Sequence, residues 1–434
     1  MTVRSALSHV LDRHVVYSMS NQLLVSGTNF AVGIIAARFL GVSDFGLFSV
    51  ILMISMLIGT IEHTILTMPM MTLAGNRQRR SLSYFASIAL LGAAGSAIGA
   101  LICSLFIVGY SLVRSEPVSA ELVASAAAMT FFRNAQIRVR LILFANQKSS
   151  RSVQLEVLRV GLIGLGITAI YASGVTVTIP ALFWLLAVAS LAVLVPALPE
   201  MWHRVRRKLM KAVLVRHWPI ASWLLLMVVT GLGQEQAIWV IVGVELGDEA
   251  VGGLRAAQYL LGVSHFLFLA LENYMPRKAA EEMRDTGLQG LVCYLGRQSL
   301  FIGGLGSLVI LPIAFFSEPL LDRVLGRGYG PYAPIAMIFA VMYLCMIQRA
   351  IWTLYLRSVE RTRSVFLSYI VSSLVALVTI FPAMQYLGVA GAAWCMTLAQ
   401  ATSLMLIAMA VARHYSENNR SLVKSRSQVL VYHE

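Results

Sequence analysis

Arg133, Gln136 and Arg140 recur at i, i+3 and i+7 within an otherwise apolar stretch, residues 119–146, so a helix would carry all three on one face. A guanidinium binds phosphate or carboxylate through two parallel hydrogen bonds. In a bilayer core it costs at least about 2.5 kcal/mol unless it meets a partner or a watered path. Six arginines, Arg133, Arg138, Arg140, Arg159, Arg255 and Arg349, stay within apolar segments once loop residues are set aside. They could form a cationic lining that attracts an anionic group, with Arg133, Arg349, Arg140, Gln136, Gln348 and Arg255 as its binding residues. Alternatively Arg138 and Arg140 reach out to the aqueous edge, while Arg133 and Arg159 neutralise nearby acids. Arg138 falls on a different face of its helix from Arg133 and Arg140.

Acids are fewer in these segments: Glu62 beside His63, Glu156, Glu235 between Gln234 and Gln236, and Glu272. Glu156 and Arg159, at i and i+3, read as a structural pair. Glu62 has no cation within a turn, which makes it the first candidate for a carboxyl that couples transport to an ion, followed by Glu235 and His265. The rival reading is a permanent pair between Glu62 and an arginine such as Arg133. No catalytic constellation is present, and no Gly-x4-Gly-Lys phosphate loop exists. Cys103, Cys293, Cys345 and Cys395 stand singly and read as packing residues, with no metal-ligand spacing. Gly303, Gly304 and Gly306 suit close helix packing.

The elements that position these residues must be membrane helices. Hydrophobic residues make up 58% of the 434 and charged residues 12%, against about 25% charged in soluble domains. The mean hydropathy is +0.76. At roughly 20 apolar residues per crossing, about twelve spans fit, and the long uninterrupted runs exclude a β-barrel. Apolar windows place them at 15–37, 46–75, 84–112, 119–146, 152–173, 178–199, 216–243, 251–275, 298–317, 333–356, 365–386 and 389–412. The first run, which carries Asn21, Gln22 and Asn29, reads as a retained helix rather than a cleaved signal. The net charge of +14 comes from basic loops and points to topology, not to nucleic acid. All loop Lys and Arg except Arg38, Arg114, Arg323 and Arg327 lie on one alternating set of connections, which would place both termini in the cytoplasm.

A basic linker, residues 201–215, divides the spans six and six. The expected organisation is a bundle at 1–200, the linker, a second bundle at 216–414 and a cytoplasmic tail at 415–434. Leu40-Gly41-Val42 through Gly46 resembles Leu246-Gly247-Asp248 through Gly252, and Arg151-Ser152-Val153 resembles Arg363-Ser364-Val365. The second match aligns Gln136 with Gln348 and Ile137 with Arg349. Six spans per repeat give like-oriented halves about an axis along the membrane normal, a layout that puts a substrate path between them.

The run Ala36-Ala37-Arg38-Phe39-Leu40-Gly41-Val42-Ser43-Asp44-Phe45-Gly46-Leu47-Phe48 resembles the first-to-second helix junction of the bacterial polysaccharide transporter family, the O-antigen and exopolysaccharide flippases of the MOP superfamily. The stretch from Arg138 to Arg159 and the segment Leu387-Gly388-Val389-Ala390-Gly391 are similar to that family too. The resemblance implies a V-shaped, twelve-helix inner-membrane transporter with two six-helix bundles. It would flip an undecaprenyl-pyrophosphate-linked oligosaccharide by alternating access, with no cofactor beyond H+ or Na+ coupling in some members. Membrane lipids, a polysaccharide polymerase and a co-polymerase are the implied partners. The competing expectations are an ion-coupled small-molecule or multidrug antiporter and a membrane-embedded enzyme. The latter lacks both a large external loop and clustered catalytic residues.

Overall fold

A computed structural model describes residues 13–73, 82–201, 207–265, 267, 268, 271 and 275–431. Glu272 and most of the 201–215 linker's basic residues lie outside them or have undescribed side chains. The helices are α1 (Arg13–Leu40), α2 (Val42–Leu73), α3 (Leu82–Arg114), α4 (Ala120–Ala145), α5 (Ser149–Ala172), α6 (Ile179–Leu194), α7 (Arg207–Leu246), α8 (Asp248–Leu261), α9 (Met275–Phe315), α10 (Ser317–Val324), α11 (Ala333–Ser358) and α12 (Thr362–Val431). Local signals set several ends. Ser119 Oγ caps α4 by accepting from the Leu122 amide at 3.1 Å, with Glu121 in the first turn, where an acid favours the helix dipole.

Among the described residues nine helices are long and apolar enough to cross a membrane, and particular residues account for the difference from twelve. α4 carries Arg133, Arg138 and Arg140, and their charge lowers its hydropathy. α8 gives way to a 3-10 turn at Gly262–Ser264. α12 joins two spans across a kink at Gly388, whose φ of 55° only glycine adopts freely. α9 is likewise kinked at Gly287, φ 70°, so the span expected at 298–317 is preceded by a helical arm. The tail expected at 415–434 continues α12 as helix to Val431.

By contacts the chain forms two units, Met1–Gly252 and Gly253–Glu434. In the first, α4 is central, packed by α3, α6 and α2, while α1 pairs with α5 and α7 lies on α2 and α3. The apolar cluster Leu66, Met70, Phe85, Ile88, Ile142 and Val213 joins α2, α3, α4 and α7. Beside it the Tyr84 hydroxyl lies 2.9 Å from His217 Nε2. These contacts bind α7 to the first unit, so the packing boundary falls one helix later than the basic linker that starts the second half of the repeat. In the second unit α11 is central, between α9 and α12.

The repeat is visible in backbone geometry. Gly41 and Gly247, 206 residues apart, both have positive φ, 80° and 87°, and each is followed by the same turn, Phe45 N–H to Gly41 O and Val251 N–H to Gly247 O. The α4–α5 and α11–α12 turns also match. Lys148 N–H donates to Leu143 O and Arg361 N–H to Leu356 O, both at 2.8 Å, around Gln147 and Glu360 at φ 59° and 58°. That pairing is offset by 213 residues, one more than the sequence match at Arg151 and Arg363. Gln136 therefore corresponds to Arg349, not to Gln348.

Within the first unit the two copies of the glycine motif meet. A Cβ on Gly46 would fall on the Asp248 carbonyl, and one on Gly252 would fall on the Val42 carbonyl, so equivalent residues make reciprocal contacts. Absence of a side chain lets the backbones of α2 and α8 approach. The Tyr110 hydroxyl donates to Asp248 Oδ1 at 2.7 Å, and Arg114 pairs with the same carboxylate. Gly46→Ala puts a methyl against backbone that cannot swing aside and should cost about 1–3 kcal/mol. Gly109→Ala, with nothing within 4 Å of the added carbon, should be neutral or stabilising; thermal unfolding of the two variants in detergent measures the difference.

Candidate functional site

The first polar group lies where α1, α4 and α5 meet. Glu156 is fully buried. Its Oε1 accepts from Arg159 Nε at 2.9 Å and Nη2 at 2.6 Å, and its Oε2 accepts from the Gln136 amide at 2.8 Å. The expected Glu156–Arg159 pair is thus present, with two guanidinium donors converging on one carboxylate oxygen. Arg140 reaches Asn21 Oδ1 at 3.5 Å, while the Asn21 amide donates to Ser152 Oγ at 3.4 Å.

Arg133 is half-buried, and the charges around it are Arg159, Arg140 and Glu156. No carboxylate among the described residues sits within ion-pair distance of it. Among the described residues Arg133, Arg140 and Arg159 therefore share one carboxylate, that of Glu156, which leaves a positive charge of two inside a helix bundle. Sites of that sign are costly in low dielectric unless an anion or water reaches them.

A second group joins α2, α3 and α4. Glu62 pairs with Arg138 and accepts from Ser96 Oγ at 2.9 Å, and Arg138 also donates to Ser96 at 3.1 Å. Arg138 is only 4% exposed, so it does not reach out to an aqueous edge, and the partner of Glu62 is Arg138 rather than Arg133. Glycine makes room for the pair, since a Cβ on Gly92 would strike the Arg138 side chain and one on Gly95 would touch Glu62. Nearby Asn134 is buried, with neither amide atom hydrogen-bonded.

The remaining candidates are dispersed. In the second unit Arg349 lies over the Tyr369 ring, 5.0 Å from guanidinium carbon to centroid, a cation–π contact, with no acid at ion-pair distance among the described residues. Gln348 is tied to Ser299, accepting from its hydroxyl and donating to its carbonyl at 3.2 Å, which makes it a bridge between α9 and α11. Arg255 donates to Gln258 one turn on. His265 is exposed, its ring 6.2 Å from that of Phe268. Glu235, in the first unit, is exposed on α7. Of the cysteines, Cys103 and Cys395 are buried as expected of packing residues, but Cys293 is exposed.

No family model matches the sequence, and no curated protein matches it. Solved structures do match along nearly the whole chain. One is the lipid II flippase MurJ in an inward closed conformation, at TM-score 0.67 and 11% identity over 92% of this chain and 87% of that one. Another is an inward-facing multidrug resistance MATE transporter of the MOP superfamily, at 0.65 and 14% over 94% and 99%. The fold is that of the MOP transporters. An outward-facing MATE structure matches as well, at 0.58 and 12% over 93% and 94%. That fold and the nine long apolar helices among the described residues indicate a multi-pass membrane protein.

Sequence places Arg138 among the lining arginines but not as the partner of Glu62, and it gives no role to Ser96, Asn21 or Tyr369. Their partners lie 42, 76 and 131 residues away in the cases of Ser96, Glu62 and Asn21, and no local spacing encodes such pairings. The helical wheel does separate Arg138 from the Arg133–Arg140 face.

Proposed function

We propose that the chain is an inner-membrane transporter that flips a lipid-linked oligosaccharide with an anionic head, an undecaprenyl-pyrophosphate saccharide used for exopolysaccharide or O-antigen synthesis. The observation that carries this reading is the sharing of one buried carboxylate, Glu156, by Arg133, Arg140 and Arg159. Pyrophosphate supplies the missing negative charge and matches guanidinium geometry. A cationic-drug antiporter would call for the opposite imbalance. On this reading the basic loops and both termini face the cytoplasm, two bundles alternate access, and a polymerase with its co-polymerase receives the cargo.

In cells that depend on this protein for surface polysaccharide, Arg133→Ala and Arg349→Ala should each lower polymer output at unchanged protein level. The expected loss is about tenfold or more, since a hydrogen bond to a charged group contributes about 1.5–3 kcal/mol. Wild-type output from both variants would remove them from the site.

Ion coupling is assigned to Glu62, because a proton and Arg138 compete for the same carboxylate. Glu62→Gln should flatten the dependence of flipping on pH in vesicles, and an unchanged pH response would count against the assignment. Exposed Glu235 and His265 are the next positions to substitute.

A further inference from the structure

α1 and α5 are pinned together at both ends and part between them. At one end the Asn21 amide donates to Ser152; at the other the rings of Phe39 and Tyr171 stand 6.0 Å apart. The intervening space is a groove of about 600 Å³ lined on α1 by residues such as Leu24, Gly27 and Ala31, and on α5 by Val160, Ile163 and Gly164. Its size falls within the range of about 300–1,000 Å³ typical of ligand pockets. Small residues between membrane helices ordinarily bring backbones together, yet a Cβ on Gly27 or Gly164 would meet nothing within 4 Å. Here they leave room instead of closing it.

The groove leads to the arginine cluster. On α5, Glu156 lies one turn before Val160 on the stripe that continues through Ile163 and Ile167, with Arg159 beside it. On α1, Asn21, which receives Arg140, lies one turn before Leu24. From Arg159 to Tyr171 the helix runs about 18 Å at 1.5 Å per residue, somewhat more than half of a hydrocarbon core about 30 Å thick.

We propose that this groove holds the hydrocarbon chain of a single-chain lipid whose phosphate head sits on Arg133, Arg140 and Arg159. The complementarity is in charge and shape together. Two helices bound a groove lined almost wholly by apolar residues, with the excess positive charge at one end. The inference rests on the anionic-cargo reading above and adds where the tail of that cargo lies.

The test uses the full chain in nanodiscs, with undecaprenyl phosphate, inorganic pyrophosphate and dioleoyl-phosphatidylglycerol as probes. Gly27→Leu and Gly164→Leu fill open space, so both variants should fold and bind pyrophosphate as the wild type does. Their affinity for undecaprenyl phosphate should fall by about tenfold or more, the loss expected when two CH2 groups' worth of apolar contact is removed. Equal binding of undecaprenyl phosphate by wild type and both variants would overturn the groove assignment while leaving the cargo reading intact. Phosphatidylglycerol that competes as well as undecaprenyl phosphate would also overturn it, by making bulk lipid the occupant. Failure of the wild type to bind either phosphate probe would bring down the cargo reading itself.

Discussion

Arg138→Met should be among the most destabilising single substitutions in the chain, at about 3–5 kcal/mol, because it leaves a carboxylate inside the bundle without its cation. Glu62 has no other cation in contact among the described residues, and Ser96 supplies a single hydrogen bond. Gly92 and Gly95 hold the pair in a space shaped for it, so the methionine cannot substitute for the lost charge. The double variant Glu62→Gln/Arg138→Met removes both charges and should recover much of the loss, since a neutral pair of similar volume is often tolerated where a half-broken ion pair is not. Thermal unfolding of the two variants in one detergent gives the comparison. A single variant as stable as the wild type would mean that water already solvates Glu62 in the folded protein.

Glu156→Gln attacks the other group in the opposite sense. It removes the one acid that Arg159 and Gln136 engage and leaves three arginines facing one another, which should again cost about 3–5 kcal/mol. Added pyrophosphate should restore part of that stability, because a ligand that binds only the folded state at 100 times its Kd contributes about 2.7 kcal/mol. The variant should gain more from pyrophosphate than the wild type does, since its cluster carries one more uncompensated charge. An equal response, or none, would mean that the guanidinium groups are not open to an anion.

Sequence carried the architecture because membrane spans announce themselves through length and hydropathy. It carried α4 as well, although its arginines lower that signal, because largely apolar runs at 122–132 and 141–145 flank the polar patch. The kink at Gly388 was legible as a boundary between two spans, yet the chain runs on as helix across it. The repeat was legible at Gly41 and Gly247, where the turn demands a glycine. At Arg151 and Arg363 a three-residue likeness lay one residue out of step with the turn that the backbone repeats.

The candidate site was only half legible. Glu156 and Arg159 are neighbours on one helix, so spacing found them. Glu62 and Arg138 are 76 residues apart, and their pairing depends on how α2, α3 and α4 pack, which periodicity does not encode. The division of the chain at Gly252 was hidden for the same reason: α7 follows the linker, but its contacts are with α2 and α3.

The most direct test is a flipping assay in proteoliposomes. A fluorescent polyprenyl-pyrophosphate oligosaccharide should cross the bilayer with wild-type protein, and much more slowly with Arg133→Ala of equal stability, while a cationic dye such as ethidium is not moved by either. Transport of the dye along an ion gradient, with the oligosaccharide lipid left in its leaflet, would contradict the account.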